Sequence, residues 1–121
     1  MLNQHTLRTP ETQKRYMEYL ENEYDGHCIY CSKDHLVKEY DYWIIIENEF
    51  PYDKVWGKHH QLAPKRHIQN ELSLTTYELM DLMMIKHKYE KGNYDAVREN
   101  FPDGKSLPEH LHYHLLGELL I

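Results

Sequence analysis

Hydrophobic and polar positions along the chain fall first into a helical pattern and then into short extended runs. Tyr16, Met17, Leu20 and Tyr24 share one face of a helix between Thr9 and Gly26. Thr9 can cap that helix, Pro10 suits its first position, Glu11 favours the positive end of its dipole, and Gly26 can stop it. From Cys28 to Pro64 the period shortens. His35 to Tyr40 and Tyr42 to Glu47 read as neighbouring strands, the second apolar on both faces and therefore central. Asn48 to Lys58, with Phe50-Pro51 and Gly57, reads as a surface loop, and His59 to Pro64 as another strand. Thr75 and Glu78 fit a capping box at the start of a second helix, with Leu74 placed to staple onto Leu79. Leu79, Leu82, Met83 and Ile85 give that helix a broad apolar surface, and Gly92 can end it. Tyr94 to Glu99 is a further strand, Asn100 to Glu109 a turn-rich loop, and His110 to Leu116 the last extended run. The order predicts an α+β domain, a mostly antiparallel sheet packed by helices on one face.

Composition narrows the picture without changing it. At 121 residues, 40% of them hydrophobic and 28% charged, the chain is read as one domain spanning 1–121. No apolar run approaches the 18 or so residues of a membrane span, the longest being Tyr42 to Ile46. The first residues hold no basic region followed by an apolar stretch, so a cytoplasmic enzyme or binding module is the expectation. Fourteen Lys and Arg against twenty Asp and Glu give a net charge of −6, with the basic residues scattered. Proteins that grip nucleic-acid phosphates usually carry net positive charge or a basic stripe, so a polymeric nucleic acid is not the expected partner. A single bound nucleotide needs only local positive potential.

Ten histidines and the pair Cys28-Ile29-Tyr30-Cys31 stand out. Two cysteines at this spacing suit a metal or a redox pair better than a disulfide framework. In a strand over His110-Leu111-His112-Tyr113-His114-Leu115-Leu116, alternate side chains project from opposite faces, so three imidazoles share one face. Chance alternation of surface histidines is one reading of that face. An open three-histidine zinc site is a second, and nucleophilic attack on phosphorus by one imidazole is a third. His59 and His60 fall on opposite faces of their strand, so at most one can join such a site.

The histidine run resembles the signature of the histidine triad superfamily at every position. The likeness extends upstream: the cysteine pair resembles that of many members, Pro64-Lys65-Arg66-His67 the Pro-Lys-x-His that closes the family's central strand, and Gly104-Lys105-Ser106 the Gly-x-Ser before the triad. Asn48-Glu49-Phe50-Pro51 resembles a motif of the related uridylyltransferase branch. Between Ser106 and His110 stand Leu107, Pro108 and Glu109, one residue more than the common hydrolase spacing, and Lys105 occupies a place where many relatives carry Gln.

The resemblance implies a five-stranded, mainly antiparallel sheet with two helices, residues 1–26 being a helical extension to a core over 27–121. It implies hydrolysis of a nucleotide at the α-phosphorus, with release of a nucleoside monophosphate from a phosphoramidate, a dinucleoside polyphosphate or a similar adduct. His112 would be the nucleophile, His114 would bind phosphate oxygens, and Ser106 would help the leaving group accept a proton. Asn48 stands where relatives hold the ribose hydroxyls, and Asn100 and Lys105 are further substrate contacts. His114 in place of Gln favours hydrolysis over nucleotidyl transfer. Cys28, Cys31, His67 and His110 would complete a closed tetrahedral zinc site of the structural kind, as in metal-bearing branches. A purine nucleotide or nucleotide conjugate is the implied ligand, and a homodimer the implied assembly. A nucleotidyltransferase or phosphorylase, and a nucleotide-binding regulator with little turnover, are the rival functions.

Overall fold

The computed structural model describes residues 7–101 and 110–121, and its strands pair through backbone hydrogen bonds. The elements run α1 (Pro10–Asn22), β1 (Leu36–Glu39), β2 (Trp43–Glu47), β3 (Trp56–Pro64), α2 (Thr76–Met84), β4 (Ala96–Arg98) and β5 (Tyr113–Leu119). The five strands form one sheet in the order β1-β2-β3-β5-β4, every neighbouring pair antiparallel. This is the α+β, five-stranded, two-helix architecture expected from the sequence.

Because β2 is apolar on both faces, it builds two layers at once. Trp43 and Ile45 join Leu62, Leu82, Ile85, Leu111, Tyr113 and Leu115 in the main core, on the side covered by α2. The Trp43 indole N–H donates to the Glu78 carbonyl at 2.8 Å, so a buried polar atom is satisfied by the helix it packs on. Ile44 and Ile46 point the other way, toward Ala63 and Tyr30. Leu7, Tyr52 and Leu116 form a third cluster on that second side, where Tyr16 and Tyr19 of α1 pack their rings against Phe50, both at 5.1 Å. The two helical parts thus cover opposite faces, whereas the sequence pattern placed them on one.

Local rules explain most element ends. Thr9 caps α1 by accepting from Thr12 N–H, and Thr75 and Glu78 close the capping box of α2. The apolar surface of α2 is narrower than its sequence suggests: Leu82 and Ile85 are buried, while Leu79 and Met83 are 43% and 44% exposed. After α2 the chain makes a π-helical turn over Ile85–Tyr89 and leaves through Gly92, whose φ of +85° favours glycine. The last strand starts at Tyr113 rather than at His110, for a reason visible in its partner. In the register of β3 and β5, Leu62 faces Tyr113, so Pro64 would face Leu111, and proline has no N–H to give a ladder. Leu111 N–H donates instead to the Ile68 carbonyl at 2.6 Å. Strand β3 also begins earlier than expected, with Trp56 paired to Leu119. No helix among the described residues is long and apolar enough to cross a membrane.

Candidate active site and metal centre

The face opposite α2 holds both groups of chemistry. Along β5 and its approach, Leu111, Tyr113 and Leu115 enter the main core. His110, His112 and His114 are buried as well, at 2%, 5% and 4% exposure, so the reading of three surface histidines fails. His112 and His114 lie edge to face with ring centres 5.2 Å apart, and both line an open cleft. Tyr30, from between the two cysteines, stacks on His112 at 5.1 Å and 20° and takes a hydrogen bond from Gln61 at 2.9 Å. Burial pushes the Tyr30 phenol well above its ordinary pKa, so it stays neutral against the imidazole. Ile29, Ile46, Phe50 and Tyr19 give the cleft an apolar wall.

Hydrogen bonds order the protons of this site. The His112 Nδ1 lies 2.9 Å from the His110 carbonyl, which can only accept, so Nδ1 carries a proton and a neutral His112 would keep its lone pair on Nε2. Tyr52 backbone N–H donates to His59 Nδ1 at 2.9 Å. A neutral His59 therefore carries its proton on Nε2 and donates to His114 Nδ1 at 2.7 Å. That leaves the His114 proton on Nε2, 3.3 Å from the Asn100 amide nitrogen. The Asn100 amide is itself oriented, because its Oδ1 accepts from Arg98 Nε at 2.9 Å. Asn100 Nδ2 donates to the Tyr52 hydroxyl at 3.2 Å and also meets the His114 N–H, with no acceptor between those two donors among the described residues, an arrangement an anionic oxygen would complete. Burial, with Arg8, His60, His112 and Arg98 nearby, pushes His59 down to about 3. Burial, then His59, His112 and the two arginines, hold His114 well below the ordinary imidazole value. Both are neutral donors in the ligand-free protein.

The expected substrate contacts fall into place unevenly. Asn48 lines the cleft, accepts from Phe50 N–H at 2.8 Å through Oδ1, and sets its Nδ2 3.3 Å from His59 Nε2. Asn100 is buried beside His114. Ser106 and Lys105 lie outside the described residues. Several site residues carried no distinct sequence signal. His59 meets a partner 55 residues away, Tyr52 packs its ring near both His59 and His114 and near the Arg8 and Arg98 guanidiniums, and Arg8 enters from the N-terminal segment. Tyr42 and Trp43 line no part of this cleft: Tyr42 stacks on Tyr77, and Trp43 belongs to the core.

Beside the cleft, Cys28, Cys31, His67 and His110 bring four ligand atoms within 4.8 Å of one another. Cys28 Sγ and Cys31 Sγ lie 3.4 Å and 3.7 Å from His110 Nδ1, Cys31 Sγ lies 3.3 Å from His67 Nδ1, and the two Nδ1 atoms are 3.1 Å apart. A tetrahedral zinc centre with ordinary bond lengths has S···N edges of about 3.6 Å and N···N edges of about 3.3 Å. The quartet therefore fits a four-coordinate ion. His110 Nε2–H donates to the Pro64 carbonyl at 2.7 Å, which presents the Nδ1 lone pair to the centre. Cys31 N–H reaches Cys28 Sγ at 3.5 Å. Such a donor set, rather than an open three-histidine site, is what the geometry assembles, since His112 turns away to the cleft.

No protein-family model and no curated protein matches the chain, but solved structures do. It is 25% identical to a histidine triad protein from Clostridium difficile, with a TM-score of 0.58, over 78% of this chain and 93% of that one. A HIT family hydrolase from Legionella pneumophila Philadelphia 1 is 20% identical at a TM-score of 0.58, over 75% of this chain and 92% of that one. A HIT family hydrolase from Clostridium thermocellum is 19% identical at 0.55, over 88% and 91%. The last two likenesses are likenesses of fold.

Proposed function

Because this chain belongs to the histidine triad superfamily, we propose that it is a nucleotide hydrolase that attacks the α-phosphorus and releases a nucleoside monophosphate. The observation that carries this reading is the His112 imidazole in the cleft wall, tied by Nδ1 to the His110 carbonyl and edge to face with His114, whose Nε2 meets the Asn100 amide. In the first step Nε2 bonds to the α-phosphorus, and the bond to the leaving group breaks with its electron pair, giving a nucleotidyl-histidine. In the second, water attacks phosphorus, the N–P bond breaks, and His112 returns with the monophosphate formed. His114 and Asn100 donate to the phosphoryl oxygens as charge develops there. Ser106 relays a proton to the leaving group in the first step and recovers one from the attacking water in the second, and Asn48 holds the sugar, with the base, a purine, against Ile29, Ile46 and Phe50.

Cys28, Cys31, His67 and His110 hold zinc in this reading. Two thiolates and two imidazoles leave no open position, so the ion would fix shape and supply no chemistry to the substrate. The protein acts as a homodimer, and the half-exposed Leu79, Met80 and Met83 of α2 offer an apolar face for the second copy.

The test is release of AMP from an adenosine phosphoramidate and from a diadenosine polyphosphate by wild type and by His112→Ala. Wild type is expected to turn over at least one of them. The variant is expected to lose on the order of a thousandfold or more in kcat, as nucleophile removals do, with its fold and AMP affinity kept. Turnover that survives in the variant, or a wild type that binds AMP and releases none from either substrate, overturns the proposal.

A further inference from the structure

Arg8 is a buried charge without a counter-ion. It is 6% exposed, yet no carboxylate among the described residues forms an ion pair with it. Its Nε donates to the Phe50 carbonyl at 2.8 Å and its Nη1 to Gln13 Oε1 at 3.3 Å, both neutral acceptors. Asp53 favours its charge from a distance, but that carboxylate is committed to Thr9 N–H at 2.9 Å and to the Thr12 hydroxyl at 2.5 Å. Burial pushes the guanidinium below its ordinary pKa. Keeping a desolvated cation among neutral partners is costly; the Tyr16 ring, 4.4 Å from its Cζ, offsets part of the cost, and an anion in the cleft whose wall Arg8 forms would offset the rest.

A second guanidinium packs with Arg8 on the Tyr52 ring. The Arg8 and Arg98 Cζ atoms lie 5.3 Å and 5.7 Å from the centre of the Tyr52 ring. Arg98 also has no ion pair among the described residues, its Nε being spent on Asn100 Oδ1. The same Tyr52 ring sits 5.1 Å from His114 and 4.4 Å from His59. In a chain of net charge −6, two arginines with no ion pair among the described residues therefore stand near His114, Arg8 in the cleft wall and Arg98 directly opposite His114 in the pairing of β4 and β5. Of the acids lining the cleft, Asp34 is engaged by His27 at 2.6 Å and Glu49 by His35 at 3.5 Å, while Glu47 ends β2.

We propose that Arg8 and Arg98 bind a phosphate beyond the one His112 attacks, and so select substrates whose leaving group carries a phosphate over those that release an amine. This rests on the hydrolase reading for the identity of the attacked phosphorus and deepens it by naming the leaving group. Guanidinium groups suit this task because they stay charged when desolvated and offer paired donors to phosphate oxygens.

The experiment compares, by calorimetry, binding of AMP and of the non-hydrolysable α,β-methylene analogue of ADP. Wild type is expected to bind the analogue about tenfold or more tightly than AMP, an advantage that shrinks as salt rises. Arg8→Gln is expected to cut that advantage to about threefold or less, with AMP affinity within about twofold of wild type; Arg98→Gln, which also frees the Asn100 amide, is expected to weaken both nucleotides and to cost the analogue at least about threefold more than AMP. Arg8→Lys, which keeps the charge and loses the fork, should fall between. Equal binding of the two nucleotides by wild type, binding of neither, or a loss shared equally by AMP and the analogue in the variants overturns the site. Should Arg8→Gln fail to fold, Arg98→Gln and the salt titration of wild type decide the question. No turnover enters the measurement, so a protein that shows the preference yet releases no monophosphate keeps this site and loses the hydrolase reading.

Discussion

His59 shows how a single side chain can couple stability to pH. It is 4% exposed, receives the Tyr52 N–H on Nδ1, and passes its own proton toward His114. Burial and the surrounding cations push it down to about 3 in the folded protein, against about 6.5 for an unfolded histidine. Above the unfolded value neither state binds the extra proton, and the contribution to stability is complete. As pH falls below it, the unfolded chain takes up a proton that folded His59 refuses, and stability declines until the folded value is reached. The loss is at most about 1.4 kcal/mol per pH unit for one such group. Urea unfolding of wild type and His59→Gln at pH 7.5 and pH 5.0 checks this. Wild type is expected to lose about 2 kcal/mol more than the variant over that interval. Parallel pH dependence in the two proteins would mean that His59 is charged or hydrated in the native state. The same neutrality bears on the site: a neutral His114 offers one directed N–H, so the positive charge for a phosphate bound there would come from the arginines packed on Tyr52.

At the scale of elements, α2 was the most legible part of the sequence, because its start depends on residues three apart. Thr75 Oγ1 accepts from Glu78 N–H at 3.2 Å, and Glu78 Oε1 accepts from Thr75 N–H at 2.8 Å. The Glu78 carboxylate is also gripped by Arg66 through two bonds, of 2.7 Å and 3.0 Å, which chiefly hold it down at about 2. Thr75→Ala removes one cap bond and is expected to lower the unfolding free energy by about 1 kcal/mol without altering bound metal or turnover. A change below about 0.3 kcal/mol would show that the Arg66 grip holds the helix start by itself. The alternation of imidazoles before and along β5 was legible for the same local reason. What was not legible depends on distant partners. The start of β5 is set by the missing N–H of Pro64 on another strand. The place of His59 depends on His114, and that of Arg8 on a carbonyl 42 residues away. Periodicity assigned Met83 and Leu79 to the core of α2, but the crossing of helix and sheet leaves room only for Leu82 and Ile85. Ser106 and Lys105 stay at the level of resemblance.

At the scale of the whole molecule, the metal quartet joins parts that the sheet alone does not hold together. Cys28 and Cys31 come from the loop before β1, His67 from the chain just after β3, and His110 from the approach to β5. Tyr30 sits between the cysteines and lays its ring on both His110 and His112, each at 5.1 Å. Since the His110 carbonyl also orients His112, an ion at the quartet would fix the loop, the wall of the cleft and the imidazole in one act. Zinc bound only by the folded state adds about 4 kcal/mol when its free concentration is a thousand times its Kd. Elemental analysis is therefore expected to find one zinc per chain in wild type and in His112→Ala, and none in Cys28→Ser. Chelation should lower the unfolding free energy by several kcal/mol, and kcat should fall at temperatures where the sheet is still folded, because Tyr30 and His110 lose their anchor first. Zinc retained by Cys28→Ser would remove the centre from the fold. Zinc lost from His112→Ala would move the ion to the triad and turn His112 from an attacking group into a ligand.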